Sequence, residues 1–535
     1  MTLVPVHHVD TDVAIVGAGF AGAILAQVLR QRGLRVALLE RGRHPRFVIG
    51  ESSTPLAGLL IEELADRYDL PRLRPLASWG TWKREYPDLP CGLKRGFSFF
   101  RHDPGQAFRD DATHVRQLLV AASPHDEVAD THWYRPAVDA WLTSEAEAAG
   151  ATYLDACALD APVFTGDGVT IDGTREGRSV RVSARFLVDA SGPRGYLWRA
   201  LGLGDAPLRH MPPTQALFTH FTDVREWAAV APSDARPPYP VDAAALHHVW
   251  PGAWMWVLRF DNGITSAGVA ATDPLARGYA LEEGADGWMR LLAAHPSIAE
   301  QFRDARPTRP FVYTPRVAHR TATVAGARWA LLPSAAGVVD PMLSTGFPLA
   351  LLGIDRLASV LTESAHGDQR EAALRRYARD TVTELGAAAR LVGALYANMR
   401  DFDMFKRLTL LYFAAASYTE TVRRLDLPHR ARGFLLRGDR TFAPAVRAIT
   451  RAAVDAPAGE AGADVRRRLA DAIDATIAPY DVAGLGDRTR RDWYPVSVDD
   501  IFAARERLGV SEADIGAMLE RCGIPVKTMP VEECV

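Results

Sequence analysis

The stretch DVAIVGAGFAGAILAQVLRQRGLRVALLERG, Asp12 to Gly42, constrains this chain more than any other. An apolar run from Asp12 to Val16 ends at Gly17, Gly19 and Gly22 in GxGxxG spacing; Ala23 to Arg30 then reads as a helix, and Val36 to Leu39 as a second strand closed by Glu40. In such a unit the first glycine makes a tight turn, the second lets backbone approach a pyrophosphate, and the third lets helix and strand pack closely. Glu40 stands where a carboxylate can accept hydrogen bonds from a ribose diol. The expectation is a dinucleotide site on an α/β sheet.

At 535 residues the chain has room for two or three intertwined domains. A net charge of −3 creates no field that would recruit nucleic acid or an anionic membrane, so small molecules or proteins are the expected partners. Cys91, Cys157, Cys522 and Cys534 lie far apart and form no CxxC, which points away from zinc and disulfides and toward a reducing cytoplasm. No metal site is expected, and His7, His8, His247 and His248 read as structural. The first residues hold no basic region followed by an apolar run, so no secretory signal is expected. The most apolar stretch, Trp329 to Ile354, is broken by Asp340, Pro333, Pro341 and Pro348 and reads as buried core rather than a membrane span.

Further along, Trp133 to Ala151 reads as an amphipathic helix, and Ala184 to Gly195 as a strand followed by Asp-Ala-Ser-Gly. From Met211 to Ala271 the pattern is strand-like, with a hairpin turn at Asp261-Asn262-Gly263. Just before it, GAWMWVLRF alternates so that Trp254, Trp256, Leu258 and Phe260 share one face of a strand. Beyond Gly353 the chain is Ala- and Arg-rich with helical spacing. The run Arg423 to Arg440 reads as a solvated face, with a dock for an acidic carrier protein as the alternative.

The Trp133 and Ala184 segments resemble the FAD-dependent aromatic hydroxylase fold class, and no second GxGxxG in the right context offers a separate NAD(P)H module. That likeness implies an α/β fold in which a Rossmann-like FAD domain is interleaved with a mixed-sheet substrate domain, plus a helical C-terminal region. The expected boundaries are 1–210 for the FAD domain, with an inserted lysine-bearing strand around 90–102; 211–320 for the substrate sheet; 321–365 for a return to the FAD domain; and 366–535 for the helices.

Within that class the chain resembles the flavin-dependent halogenases, in their phenol- and pyrrole-acting branch. VIGESSTP (Val48 to Pro55) is like the Gly-Glu-Ser/Ala segment after the second strand of that family. GLKRGFSFF looks like its lysine-bearing strand, with Lys94, and Trp254 and Trp256 match the WxW of its WxWxIP signature. VVDPMLSTGFPLAL (Val338 to Leu351) is similar to the loop whose backbone amides hold halide. Three positions depart from the family: Val257-Leu258 replaces Ile-Pro, Leu343 stands where tryptophan halogenases carry Glu, and Pro333-Ser334 replaces a Gly-Asp pair.

The resemblance implies FAD, used as FADH2 from a separate flavin reductase, together with chloride or bromide. It assigns the cofactor to Gly17, Gly19, Ala21, Gly22, Glu40, Arg41, Gly50, Ser52, Arg135, Asp189, Ser334 and Phe347. Halide falls to Thr345 and Gly346, and catalysis to Lys94, Trp254 and Trp256. The substrate would be an electron-rich aromatic, free or tethered to a carrier protein. Ser344-Thr345-Gly346 can also be read simply as a helix N-cap.

The chemical logic stands beside that likeness. Reduced flavin and dioxygen give a hydroperoxide with an electrophilic distal oxygen, and the first nucleophile to reach it takes that oxygen. A wall of indoles that admits halide and excludes the organic substrate would turn hydroxylation into hypohalous acid formation. Lys94, read on one continuous strand with Gly96 and Ser98 on its face and Phe97 on the other, would then hold the hypohalous acid or form a haloamine. The rival readings are a flavin monooxygenase or dehydrogenase on the same frame, and a non-catalytic flavin-binding protein.

Overall fold

The apolar run at Asp12 becomes the central strand of the parallel core of a mixed sheet. The computed structural model describes residues 6–363, 367–456 and 462–525. Strand His7–Val16 lies between Val36–Leu39 and Arg178–Asp189, parallel to both, with Val13 beside Val36 and Val16 beside Asp189. It starts five residues before the expected Asp12 because Arg178–Asp189 offers partners as far back as Val180, opposite His7. Helix Phe20–Gln31, expected from Ala23, is buried from Phe20 to Leu29. It packs between this sheet and helices Arg135–Ala148 and Gly346–Glu363. Ala14, Ile15, Leu38 and Leu39 lose all contact with solvent, the usual state of parallel strands covered on both faces.

A second nine-stranded sheet stands against the first. Its centre is the hairpin Ala253–Arg259 and Thr265–Thr272, closed where Phe260 N–H meets Ile264 carbonyl at 2.9 Å. The two faces of Ala253–Arg259 enter different cores. Trp254, Trp256 and Leu258 join the cluster shared with the first sheet, while Met255 and Val257 pack with Trp227, Trp250 and Trp288.

The interval 1–210 divides between the two sheets. Gly96–Arg101 and Gln117–Ala121 belong to the second one, whereas Cys91–Lys94 pairs with Asp130–Trp133 in a separate ribbon. Trp329–Leu331 returns to the first sheet beside Arg178–Asp189. The C-terminal region is helical in its long elements Asp368–Ala397 and Phe402–Arg424, yet Trp493–Tyr494 adds an edge strand beside Gln117–Ala121.

The Arg-rich run is not a solvated face. Arg423 and Arg424 pair with Glu63 and Glu62 of helix Pro55–Tyr68, Arg437 binds Asp380 at 2.8 Å, and Arg430 donates to the Leu508 carbonyl. Arg423 and Arg424 thus clamp the C-terminal region to helix Pro55–Tyr68, while Arg430 and Arg437 tie its own segments together. Cys91, Cys157 and Cys522 carry free thiols, and Cys534 lies outside the described residues. Among the described residues no helix is long and apolar enough to cross a membrane, and no cluster of three His, Cys, Asp or Glu could hold a metal ion.

Candidate active site

The glycine turn is built by close approach. Gly17 has φ of 105°, and a Cβ there would come within 2.6 Å of the Ala190 carbonyl; a Cβ on Gly22 would come within 2.0 Å of Gly17 oxygen. Gly19 caps helix Phe20–Gln31 without a side-chain hydrogen bond, leaving the first-turn N–H groups for a phosphate. Ala21 is buried inside that helix. Glu40 accepts from Ala18 N–H at 3.0 Å, Gly42 N–H at 2.9 Å and Arg46 at 3.1 Å. Burial alone would raise its pKa, but Arg46 and the two N–H groups outweigh it and hold the carboxyl below the ordinary value. Arg41 beside it is exposed.

Arg135 grips Asp139 through two bonds of 2.7 and 2.8 Å, donates to the carbonyls of Ile49 and Gly50, and lies over the Phe20 ring at 4.8 Å. Phe20 in turn stacks on Phe347 at 4.7 Å. Ser52 Oγ is buried with no hydrogen-bond partner, a vacancy that a polar ligand could fill. Asp189 is taken up by its own turn: one oxygen accepts from Ser191 and the other from Leu197 N–H at 2.6 Å. Its part is to shape the turn at Ala190, against which Gly17 packs. Ser334 sits half-buried in the short helix Pro333–Ala336. Open helix N–H groups, the Glu40 carboxylate beside the turn and the unpartnered Ser52 hydroxyl fit a dinucleotide.

In the loop before helix Gly346–Glu363, Asp340 accepts from Met342 N–H at 3.0 Å, Ser344 turns left-handed at φ of 51°, and Gly346 alone is exposed among buried neighbours. The helix start thus presents backbone N–H groups at an open point. Asp340 also accepts from the Tyr396 hydroxyl at 2.9 Å, and burial raises its carboxyl to about 7.

Trp254 and Trp256 lie side by side, centroids 5.6 Å apart. Trp256 spreads over Gly268, where a Cβ would come within 2.3 Å of its ring. Trp254 donates to the Tyr396 hydroxyl on the side of the Asp340 loop. On the other side it meets His247, which stacks on Phe99 at 4.4 Å. Phe99 stacks beside Phe97, and Phe97 lies under Lys94 Nζ at 3.9 Å. Trp254 therefore bridges the loop at Asp340 and the aromatic stack that reaches Lys94.

Lys94 is fully buried, and its ammonium donates to the Ser53 carbonyl. The expectation that it shares a face with Ser98 and opposes Phe97 is wrong. The chain breaks at Arg95, between strands Cys91–Lys94 and Gly96–Arg101, and the break resets the alternation so that Lys94 folds over Phe97. Burial lowers the Lys94 pKa to about 7, against the opposing pull of Asp130, its cross-strand partner. Beside them opens a cavity of about 500 Å³, lined by Phe97, Asp130, Tyr412, Phe413 and residues of the C-terminal helices.

Asp130 and Tyr396 went unread in the sequence. His247 was read as structural, and Glu51, which lies inside the VIGESSTP segment without a role given to it, is buried and bonded to His220 at 2.7 Å. The alternation in Asp-Thr-His-Trp was the signal for strand Asp130–Trp133; nothing local marks Tyr396.

Residues 12–349 match the FAD dependent oxidoreductase family. The chain is 31% identical over 363 residues to monodechloroaminopyrrolnitrin halogenase PrnC of Pseudomonas fluorescens, covering 67% of this chain and 62% of that protein. It is 30% identical over 349 residues to tetracycline 7-halogenase of Kitasatospora aureofaciens, covering 63% of this chain and 60% of that one. Both alignments span less than two thirds of the relative's own length. The crystal structure of halogenase PltM matches with a TM-score of 0.79 at 26% identity, over 90% of this chain and 99% of that one.

Proposed function

We propose, because this chain belongs to the FAD dependent oxidoreductase family and within it to the flavin-dependent halogenases, that it halogenates an electron-rich aromatic of phenol or pyrrole type. FAD, reduced by a separate reductase, supplies with dioxygen the two-electron oxidation of chloride or bromide to hypohalous acid. The first-turn N–H groups after Gly19 hold the pyrophosphate and Glu40 the ribose diol, with Arg135 and Phe347 bracing the cradle. Thr345 and Gly346 offer N–H groups to the halide. Trp254 and Trp256 keep the organic substrate from the cofactor. Lys94 then donates a hydrogen bond to the hypohalous acid; Ser53 carbonyl, fixed beside it, favours the N–H donor form.

The observation that carries this reading is the position of Lys94. A fully buried lysine stands across one ribbon from Asp130, Asp130 lines a cavity of about 500 Å³ together with Phe97, Tyr412 and Phe413, and Trp254 lies between the aromatic stack of that lysine and the halide loop. A hydroxylase that delivers oxygen straight to its substrate has no use for a lysine shielded from the oxidant in this way.

The test is incubation with a flavin reductase, dioxygen, bromide or chloride, and a panel of phenols, pyrroles and indoles, each offered free and as a carrier-bound thioester. Mass spectrometry should show halogen isotope pairs in the product. Added oxygen without halogen would assign the chain to the monooxygenases, and no flavin turnover with any substrate would favour a binding protein. A bromide-soaked crystal should carry an anomalous peak at the Thr345 and Gly346 amides.

A further inference from the structure

The role given to Lys94 accounts for one proton and leaves another unassigned. When an aromatic ring takes halogen from hypohalous acid, the departing hydroxide must gain a proton, and the substrate's hydroxyl or ring N–H must lose one. We infer that Asp130 is a further catalytic residue: its carboxylate accepts the substrate's O–H or N–H hydrogen bond, takes that proton as halogen transfers, and so aims the adjacent ring carbon at Lys94. This rests on the halogenase reading and adds the proton acceptor that reading lacks.

The geometry supplies three reasons. Asp130 stands opposite Lys94 in the antiparallel register, so both side chains leave the same face of one ribbon. Asp130 also lines the cavity of about 500 Å³, and Phe97, Tyr412 and Phe413 line the same space, so an aromatic substrate held there can bring its polar substituent to the carboxyl. Finally, Asp130 Oδ2 is buried with no hydrogen-bond partner, although buried carboxylate oxygens are nearly always satisfied in folded proteins. A hydroxyl or N–H brought by the substrate fills that vacancy.

The neighbouring groups leave the task to Asp130. Arg424, facing it from helix Phe402–Arg424, is held by Glu420 at 2.8 Å and Glu62 at 3.1 Å. Lys94, as an ammonium with one N–H on Ser53 carbonyl, has no lone pair to accept the proton. The halide loop has no free carboxylate to offer: Leu343 is apolar, and Asp340 is engaged with Met342 N–H and Tyr396. Burial pushes the Asp130 carboxyl up to about 7, with Lys94 and Arg424 lowering it and Glu420 raising it. The Tyr412 phenol, also facing it, is pushed up and stays protonated. A carboxyl in that range can both take a proton and give it back.

The step balances with a phenol as substrate. The ring carbon ortho to the hydroxyl attacks the halogen of hypohalous acid, the halogen–oxygen bond breaks, and the leaving hydroxide takes a proton from the Lys94 ammonium to become water. The phenolic proton passes to Asp130, giving a halogenated dienone that loses its ring proton to solvent and regains one on oxygen. Asp130 carboxylic acid then returns its proton to the Lys94 amine, restoring the pair.

The experiment compares resorcinol with its dimethyl ether, which is also electron-rich but has no O–H to donate. The wild-type ratio of kcat/KM, set against the ratio for free hypohalous acid in the same buffer, should favour resorcinol by roughly a hundredfold. Asp130→Asn should bring the ratio down to that of the free reagent, and Asp130→Glu should restore part of it. An Asp130→Asn enzyme with the wild-type ratio overturns the inference. If that variant does not fold, the wild-type ratio read on both sides of pH 7 serves instead: it should fall as the pH drops and Asp130 is protonated, and a constant ratio overturns the inference. Wild-type enzyme that halogenates neither compound, while bromide and reduced flavin are present and the wider panel also fails, removes the halogenase reading itself.

Discussion

Trp254 Nε1 donates a 3.1 Å hydrogen bond to the Tyr396 hydroxyl, and that hydroxyl donates onward to Asp340 at 2.9 Å. Three segments far apart in sequence thus share one buried chain: the hairpin strand, the C-terminal helix Asp368–Ala397, and the loop at Asp340. Its effect is to fix the plane of the Trp254 indole against the loop.

Tyr396→Phe removes the central link and takes from Trp254 N–H and Asp340 Oδ2 the hydroxyl that joins them, while Asp340 Oδ1 keeps Met342 N–H. The expected cost is about 1–3 kcal/mol of stability, from the unsatisfied groups rather than from lost volume. A loosened Trp254 should also let hypohalous acid escape, so halogenated product per flavin oxidised should fall while FAD affinity holds. Thermal melting, FAD titration and product yield check this together; an unchanged yield would confine Tyr396 to the fold.

Asp340 gives a dependence on pH. Its carboxyl rises from 3.8 to about 7 on burial, so between those values the folded state holds a proton that the unfolded state has released. Stability from this group is therefore full below pH 3.8 and is lost as the pH rises toward 7, at up to about 1.4 kcal/mol per pH unit. Asp340→Asn cannot titrate. Denaturant midpoints measured at several pH values across that window should show the wild type losing stability relative to the variant as pH rises. Parallel curves would contradict the assignment.

How much of this could be read beforehand follows from the range of the forces. Strand Val36–Leu39, the Gly17 turn and the face shared by Trp254 and Trp256 depend on neighbours a few residues away, and sequence spacing reports them. The break at Arg95 does not: Lys94 belongs to a ribbon with Asp130, while Gly96 is recruited by Ala121, and two competing partners rather than local pattern decide where the strand ends. Strand Trp493–Tyr494 is two residues long and exists because the edge at Leu119 and Val120 was open. Tyr396 and Asp130 carry no motif; their significance comes from what the fold sets against them.

Gly19→Val separates the cofactor from the fold. Gly19 has φ of −76°, which valine adopts, and a Cβ there meets the side-chain ends of Arg135, Arg46 and Asp139 at 3.4, 3.5 and 3.6 Å, ordinary van der Waals distances. The apoprotein should melt as the wild type does. A pyrophosphate at the helix start would meet the branched side chain, and FAD affinity should drop about tenfold or more, roughly 1.4 kcal/mol. FAD fluorescence titration decides it, and full affinity would move the phosphates elsewhere.

Lys94 gives the sharpest separation, since the proposed work of the cradle is finished before the lysine acts. Lys94→Met keeps the length of the stem and removes the ammonium; Lys94→Ala removes both. In either variant FAD should still bind, because Lys94 contacts Ser53 carbonyl, Phe97 and the field of Asp130 but no residue of the glycine turn. Transfer of halogen to the aromatic should fall by roughly a thousandfold, while hypohalous acid escapes to a scavenger such as monochlorodimedone. Lys94→Arg should fail as well. Its guanidinium keeps the charge but stays protonated and spreads a planar head in a place fully closed around a compact one. Paired readings, scavenger halogenation and mass of the aromatic product, follow the two fates of the oxidant. A Lys94→Met enzyme that halogenates near the wild-type rate would remove Lys94 from the chemistry, and one that cannot hold FAD would return it to the framework.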